Sequence, residues 1–119
     1  MSEIYYVYVI GTVKGEYKIG IASDPWNRYL GFKTGIPSPS NIRFMIRCRD
    51  RAEADKVESI LHWELREYHS IGEWFTPPKE VLGTLILELN ELVKNFKTTP
   101  MVIEYPLNHK APDIHNSGE

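Results

Sequence analysis

Two runs of β-branched and aromatic residues near the start of the chain constrain its fold more than any other feature. They cover residues 4–10 (IYYVYVI) and 17–22 (YKIGIA), and a short segment containing a glycine separates them. Such runs are typical of strands, and their spacing predicts a β-hairpin. If residues 13–15 form a three-residue loop, Tyr8 and Lys18 lie on the same face in diagonal cross-strand positions. The hairpin therefore places a phenol beside an ammonium group.

Helix signals follow at three places. Asp24-Pro25 provides an N-cap and a proline at the first helical position, which predicts a short helix over residues 26–33. Apolar residues at helical spacing predict a second helix over residues 51–68. Thr76-Pro77 repeats the start signal and predicts an amphipathic helix that reaches Phe96.

A third strand is predicted between the first two helices, because side chains alternate there with a period of two. The apolar face carries Ile42, Phe44, Ile46 and Cys48. The opposite face carries Arg43, Met45, Arg47 and Arg49. The order strand, strand, helix, strand, helix, helix specifies an α+β domain with a small three-stranded antiparallel sheet flanked by helices.

The chain of 119 residues has the size of one domain. We assign residues 1–97 to that domain. Residues 98–119 contain three prolines and are expected to form a loosely ordered tail, apart from a short extended piece at residues 101–105. The two histidines of this tail, His109 and His115, lack partners at metal-ligand spacing and are assigned no role.

Cysteine content and hydropathy restrict the class of protein. The single cysteine, Cys48, excludes an internal disulfide framework and a Cys-rich zinc site. No apolar run approaches the length that crosses a bilayer, and the first residues lack the basic start of a secretory signal. We therefore expect an intracellular, cytoplasmic protein without a membrane partner.

Charge is unevenly distributed along the chain. Residues 1–49 contain seven Lys and Arg against three Asp and Glu, a balance of +4, whereas residues 50–119 contain seven against thirteen, or −6. Such asymmetry favours a surface that faces a polyanion, and the strand arginines Arg43, Arg47 and Arg49 are the candidate nucleic-acid contacts. An ordinary solvated exterior is the alternative.

Glu58 is the acidic residue with the least ordinary position. It lies on the shoulder of the apolar stripe of the second predicted helix, about 60° from the centre of that stripe. His62 follows four residues later on the same shoulder. The spacing predicts that Glu58 lies at the edge of the core and not in open solvent.

Five sequence segments in order resemble the GIY-YIG nuclease superfamily. They are Tyr6-Val7-Tyr8, Tyr17-Lys18-Ile19-Gly20, Arg28, the Val-Glu-x-x-Leu-His stretch around Glu58, and Gly72-Glu73-Trp74-Phe75. The chain is most similar to the phage-associated branch, in which the second motif reads KIG and the closing motif reads GEWF. The resemblance covers about residues 4–82 and implies a metal-dependent hydrolase that acts on DNA phosphodiester bonds.

The resemblance also implies roles for individual residues. Tyr8 activates or positions the attacking water, Arg28 clamps a phosphate, and Glu58 holds a divalent cation, with Mg²⁺ as first choice and Mn²⁺ as the alternative. Lys18 stands where many members have a second tyrosine, and the first motif reads YVY in place of GIY. We expect Lys18 to lower the pKa of Tyr8, because an ammonium group favours a neighbouring phenolate. His62 completes the predicted catalytic set.

Other interpretations remain open. A nucleic-acid-binding module of the same fold that does not hydrolyse DNA is the main alternative, and a protein-interaction adaptor is a third. Tyr8 alone is a common packed strand residue, and Arg28 with Glu58 could form a surface ion pair. Trp74 and Phe75 are more often core residues than platforms for bases. Since no second DNA-binding unit is visible, we expect either low sequence preference or target choice by a separate protein or domain.

Overall fold

A computed structural model describes residues 3–110 of the chain. The elements in chain order are β1 (Tyr5–Thr12), β2 (Tyr17–Ala22), α1 (Pro25–Phe32), β3 (Ser40–Cys48), α2 (Arg51–Glu64), β4 (Trp74–Phe75), α3 (Lys79–Leu87), α4 (Leu89–Leu92) and β5 (Met101–Glu104). Single turns of 3₁₀-helix occupy residues 33–35 and 66–68. The strands form one antiparallel sheet in the order β4-β2-β1-β3-β5.

The α+β class is confirmed, but the prediction of three strands is wrong because the sheet has five. β4 pairs with β2, and β5 pairs with the outer edge of β3. Both additional strands are too short to show a reliable period, since β4 has two residues and β5 has four. β5 coincides with the extended piece expected in the C-terminal tail. Residues 111–119 of that tail, including His115, lie outside the described residues.

The predicted hairpin is confirmed together with its register. Tyr8 lies opposite Gly20, and Lys18 is two residues before Gly20 on the same face, so the phenol and the ammonium are diagonal neighbours. The three-residue loop closes at residues 13–15. Gly15 has a φ of 79° there, in the left-handed region that glycine adopts without steric cost.

A β-bulge in β3 interrupts the predicted alternation at Ile42, whereas Phe44, Ile46 and Cys48 share one face as predicted. Phe44 pairs with Val9, whereas Ile42 pairs with the next residue of β1, so Arg43 is an extra residue on β3. The bulge moves Ile42 to the face opposite Phe44. Met45, predicted on an exposed basic face, is buried together with Ile42.

Helices cover both faces of the sheet. On one face, α2, α3 and α4 pack around a core that includes Val7, Val9, Ile19, Ile46, Leu61 and Phe75. On the other face, α1 packs on a smaller cluster that includes Tyr8, Ile10, Trp26, Tyr29, Ile42 and Met45. Tyr8 therefore lies on the face covered by α1, and α2 lies on the opposite one.

The helix boundaries follow the sequence signals in part. Asp24 caps α1 as predicted. The helix predicted over residues 51–68 ends at Glu64 and continues as a 3₁₀ turn. α3 begins at Lys79, later than the Thr76-Pro77 signal predicts. The single helix predicted to reach Phe96 is instead divided into α3 and α4, and it ends at Leu92. Within residues 3–110, none of the helices has the length and apolar character needed to cross a membrane.

Candidate active site

An open cleft of about 530 Å³ lies beside the edge of β2. β4 pairs only with Tyr17 and Lys18 of β2, so within residues 3–110 no strand covers that edge beyond Lys18. Side chains from both faces of the sheet line the cleft there: Tyr8 from β1, Arg28 from α1 and Glu58 from α2. The structure thereby brings together three of the five predicted catalytic residues. Because several carboxylates also line this cleft, we call it the acidic lobe.

The glycine of the KIG motif makes room for the Tyr8 phenol. A methyl group at position 20 would lie 2.6 Å from the Tyr8 hydroxyl and 3.2 Å from Glu73 Oε1. Both distances are shorter than ordinary van der Waals contact. Gly20 is therefore required by the close approach of these two side chains over the backbone of β2.

We expect Gly20→Ala to destabilise the protein by about 1–3 kcal/mol, because the added methyl must displace a buried ring from a packed site. Gly31→Ala is the matched control, since a methyl group there meets nothing within 4 Å and replaces a helix glycine. The control should stabilise the protein by roughly 0.5–1 kcal/mol. Urea unfolding of both variants measures the difference. Equal stability of the Gly20 variant and wild type would show that Tyr8 does not occupy this space.

The Tyr8 hydroxyl is held in its protonated form. Burial raises the pKa of Tyr8, the carboxylate of Glu73 raises it further, and the Arg28 guanidinium opposes them. The expectation that Lys18 lowers this pKa is wrong. The Lys18 ammonium instead forms an ion pair with the Glu73 carboxylate, with Nζ 3.1 Å from Oε1.

Glu73 occupies a central position that the sequence left without a role. Its backbone carbonyl accepts a hydrogen bond from the Ile19 amide at 3.1 Å, which fixes it beside β2. Gly72, with a φ of 57°, forms the turn that leads into β4. The GEWF motif therefore serves to place the Glu73 carboxylate between Tyr8 and Lys18. The motif itself was the only sequence signal for this residue.

Glu58 is a carboxylate in an unfavourable environment. Its side chain is 19% exposed. Burial raises the pKa of Glu58, the nearby His62 lowers it, and the carboxylates of Glu73 and Asp55 raise it again. A cation beside Glu58 would offset the cost of burying its charge and the repulsion from the Glu73 and Asp55 carboxylates.

The donor set fits a hard divalent cation and not a structural zinc ion. Within residues 3–110 no group of three or more His, Cys, Asp or Glu side chains is arranged to hold a metal. A closed zinc site needs four such ligands. Mg²⁺ usually keeps several waters and takes one or two carboxylates together with substrate phosphate, and Glu58 in an open cleft meets that requirement.

His62 lies behind Glu58 and not in the acidic lobe. Its Nε2 atom lies 3.0 Å from the Ile19 carbonyl oxygen and 3.9 Å from Glu58 Oε2. Its ring also packs against Phe75, with the ring centres 4.9 Å apart. His62 thus fixes α2 against β2 and is placed to orient Glu58.

The three strand arginines lie away from the acidic lobe. Arg43 Nε donates a hydrogen bond of 2.8 Å to the Tyr105 carbonyl, just beyond β5. Arg49 Nε lies 3.8 Å from carboxylate oxygens of Asp50 and of Glu53. Arg47 is exposed. The additional cation that does line the acidic lobe is Arg51, the first residue of α2, which the sequence pattern did not single out.

The family model for the T5orf172 domain matches residues 4–93. The chain belongs to the T5orf172 domain family. The T5orf172 match extends from β1 through α4 and contains every residue that lines the acidic lobe, whereas β5 lies outside it. Comparison with curated proteins and with solved structures gives no significant match.

Proposed function

We propose that this T5orf172 domain is a metal-dependent endonuclease of the GIY-YIG type that hydrolyses phosphodiester bonds in DNA. The supporting observation is the meeting of Tyr8, Arg28 and Glu58 in one open cleft. Phosphodiester hydrolysis needs a positioned water, positive charge near the phosphoryl oxygens and assistance to the leaving oxygen. A phenol, a guanidinium and a cation-binding carboxylate are suited to these three needs.

Arg28 is the proposed phosphate ligand. Its side chain is exposed and lines the cleft close to Tyr8. A guanidinium binds phosphate oxygens through two parallel hydrogen bonds, which fixes orientation as well as position. Arg51 lines the same lobe from α2 and adds a second positive charge.

Glu58 is the proposed ligand of Mg²⁺ or Mn²⁺. When bound, such an ion neutralises charge that develops on the phosphoryl oxygens. His62 holds the segment of α2 that carries Glu58 through its contact with the Ile19 carbonyl. We assign His62 a positioning role, because it does not line the acidic lobe.

Tyr8 is proposed to orient the attacking water as a neutral phenol. The raised pKa keeps the hydroxyl protonated at neutral pH, so it acts through hydrogen bonds and not as a phenolate. Lys18 contributes indirectly, because its ion pair with Glu73 keeps that carboxylate beside the Tyr8 hydroxyl.

The proposal is tested with purified protein and supercoiled plasmid, with and without Mg²⁺ or Mn²⁺. Nicking or linearisation that depends on the added ion supports an endonuclease. Retention of the plasmid in a gel-shift assay without cleavage would instead support the alternative, a nucleic-acid-binding module that does not hydrolyse DNA.

Variants of two arginines distinguish DNA binding in the cleft from DNA binding on the β3 surface. We expect Arg51→Gln to weaken DNA binding and to reduce the slope of affinity against salt by about one, because one phosphate contact is lost. Arg47→Gln, which removes an exposed arginine from the strand face, tests the contact surface proposed from the sequence. Fluorescence anisotropy at several salt concentrations measures both. An unchanged salt slope for the Arg51 variant would contradict its proposed phosphate contact.

We also propose that a separate protein or domain directs the enzyme to its target. The cations of the acidic lobe are suited to phosphate, and phosphate contacts position a protein on DNA without reading sequence. Cleavage of unrelated plasmids at similar rates by the isolated chain would agree with this proposal.

A further inference from the structure

The cleft continues past Tyr8, Arg28 and Glu73 into a second lobe of about 410 Å³. These three residues line both lobes, so the two spaces meet at the proposed phosphate site. We call the second space the aromatic lobe, because Phe32 and Trp74 form its walls together with Ile36 and Lys18. The role proposed for the acidic lobe does not account for it.

The aromatic walls are only partly buried, yet their surroundings hold them in place. Trp74 pairs with Lys18 across β4 and β2, which fixes its backbone. The Phe32 ring packs edge-to-face against the Tyr29 ring, with the ring centres 6.2 Å apart. The Lys18 Nζ atom lies 5.6 Å from the Phe32 ring centre and 6.0 Å from that of Trp74. The lobe thus offers two aromatic surfaces beside the ion pair of Lys18 and Glu73.

Trp74 and the neighbouring residue Phe75 differ in their surroundings, and only Phe75 is explained by core packing. Phe75 is 2% exposed and belongs to the core on the α2 face. Trp74 points to the other side of β4, where it is partly exposed and lines the lobe. The prediction that both aromatic residues are core residues therefore holds for Phe75 only.

We infer that the aromatic lobe binds one unpaired nucleobase next to the scissile phosphate, and that the substrate is single-stranded or locally unpaired DNA. This inference rests on the proposed function. Aromatic side chains stack on the face of any base, whereas in a duplex the neighbouring bases already cover both faces. With the phosphate at Arg28, the base of an adjacent nucleotide can reach Phe32 and Trp74, since both lobes share that residue.

The test compares binding of two single-stranded probes in metal-free buffer, where cleavage does not interfere. One probe is a labelled oligothymidylate, and the other is an abasic oligonucleotide of the same length and charge. Wild-type protein should bind the thymidylate about tenfold or more tightly than the abasic probe, because stacking contributes substantially per base. It should also bind the thymidylate more tightly than a duplex of the same length.

Trp74→Leu should remove the preference for thymidylate and leave the affinity for the abasic probe nearly unchanged. Phe32→Leu should reduce the same preference. Trp63→Leu is the matched control, because Trp63 is 62% exposed on α2 outside both lobes. Its ring is stacked by Arg66 at 3.8 Å, and the variant should retain the full preference.

Equal affinity of the wild-type protein for the two single-stranded probes would overturn the inference without depending on any variant. An equal effect of the Trp74 and Trp63 substitutions would overturn it as well. If the protein shows a Trp74-dependent preference but does not cleave plasmid, base binding in the aromatic lobe is supported and the proposed hydrolase activity is contradicted. If the protein cleaves plasmid but binds the thymidylate and the abasic probe equally, the proposed hydrolase activity is supported and base binding in the aromatic lobe is contradicted.

Discussion

Glu58→Gln is expected to abolish metal-dependent DNA cleavage and, in metal-free buffer at neutral pH, to raise the melting temperature. Activity is lost because the amide cannot hold a divalent cation as the carboxylate does. Stability rises because the folded state raises the pKa of Glu58, so its ionised form opposes folding. A neutral amide of nearly the same shape removes that charge.

The pH dependence gives the sign of this effect. A carboxyl whose pKa is higher in the folded state supports folding below its unfolded pKa, about 4.3 for glutamate, and this support is lost as the pH rises through the folded value. The gain from Glu58→Gln should therefore be absent near pH 4 and present at pH 7. Thermal melts at both values, each with and without Mg²⁺, measure it.

Glu64→Gln is the control for the Glu58 variant, because Glu64 is an exposed residue of the same helix and lies outside the acidic lobe. It should keep activity and show no comparable gain in stability. Added Mg²⁺ should raise the melting temperature of wild type and of the control, but not of the Glu58 variant. Near wild-type cleavage by Glu58→Gln, or equal stabilisation of all three proteins by Mg²⁺, would contradict the proposal that Glu58 binds the metal.

Tyr8→Phe is expected to lower the cleavage rate by about 10²–10⁴ while changing the unfolding free energy by no more than about 1 kcal/mol. The ring keeps its place over Gly20, and the lost hydroxyl faces the cleft. Single-turnover cleavage at saturating metal, together with urea unfolding, separates the two effects. Tyr17→Phe is the control, because it removes a hydroxyl from the opposite face of the sheet.

The pH profile distinguishes the neutral phenol from a phenolate. Burial raises the pKa of Tyr8, so the hydroxyl stays protonated between about pH 7 and pH 9. If this neutral phenol is the acting form, the wild-type rate should contain no increase from Tyr8 deprotonation over that range. A tenfold rise per pH unit over that range, present in wild type and absent in Tyr8→Phe, would show instead that a phenolate acts as the base. Normal cleavage by a less stable Tyr8→Phe protein would assign Tyr8 to packing.

Sequence alone was sufficient where the structure depends on neighbours along the chain. The hairpin and its register follow from two strand-forming runs and a loop whose third residue, Gly15, has a left-handed conformation. The same local chemistry predicted the start of α1 at Asp24. Resemblance to a nuclease family selected Tyr8, Arg28 and Glu58, and the three share a cleft.

The tertiary structure decided what depends on distance and on desolvation between segments far apart in sequence. The pairing of Lys18 with Glu73 joins residues 55 positions apart. Burial, followed by the Glu73 carboxylate, raises the pKa of Tyr8 where the hairpin alone predicted a lowered one. The bulge at Arg43 gives β3 one more residue than β1 over their paired length, which a period of two cannot reveal. Among residues 3–110, the shortness of β4 leaves the edge of β2 without a strand beyond Lys18, so groups from both faces of the sheet meet there. Local patterns thus fixed the elements, while non-local packing set the charges and the shape of the site.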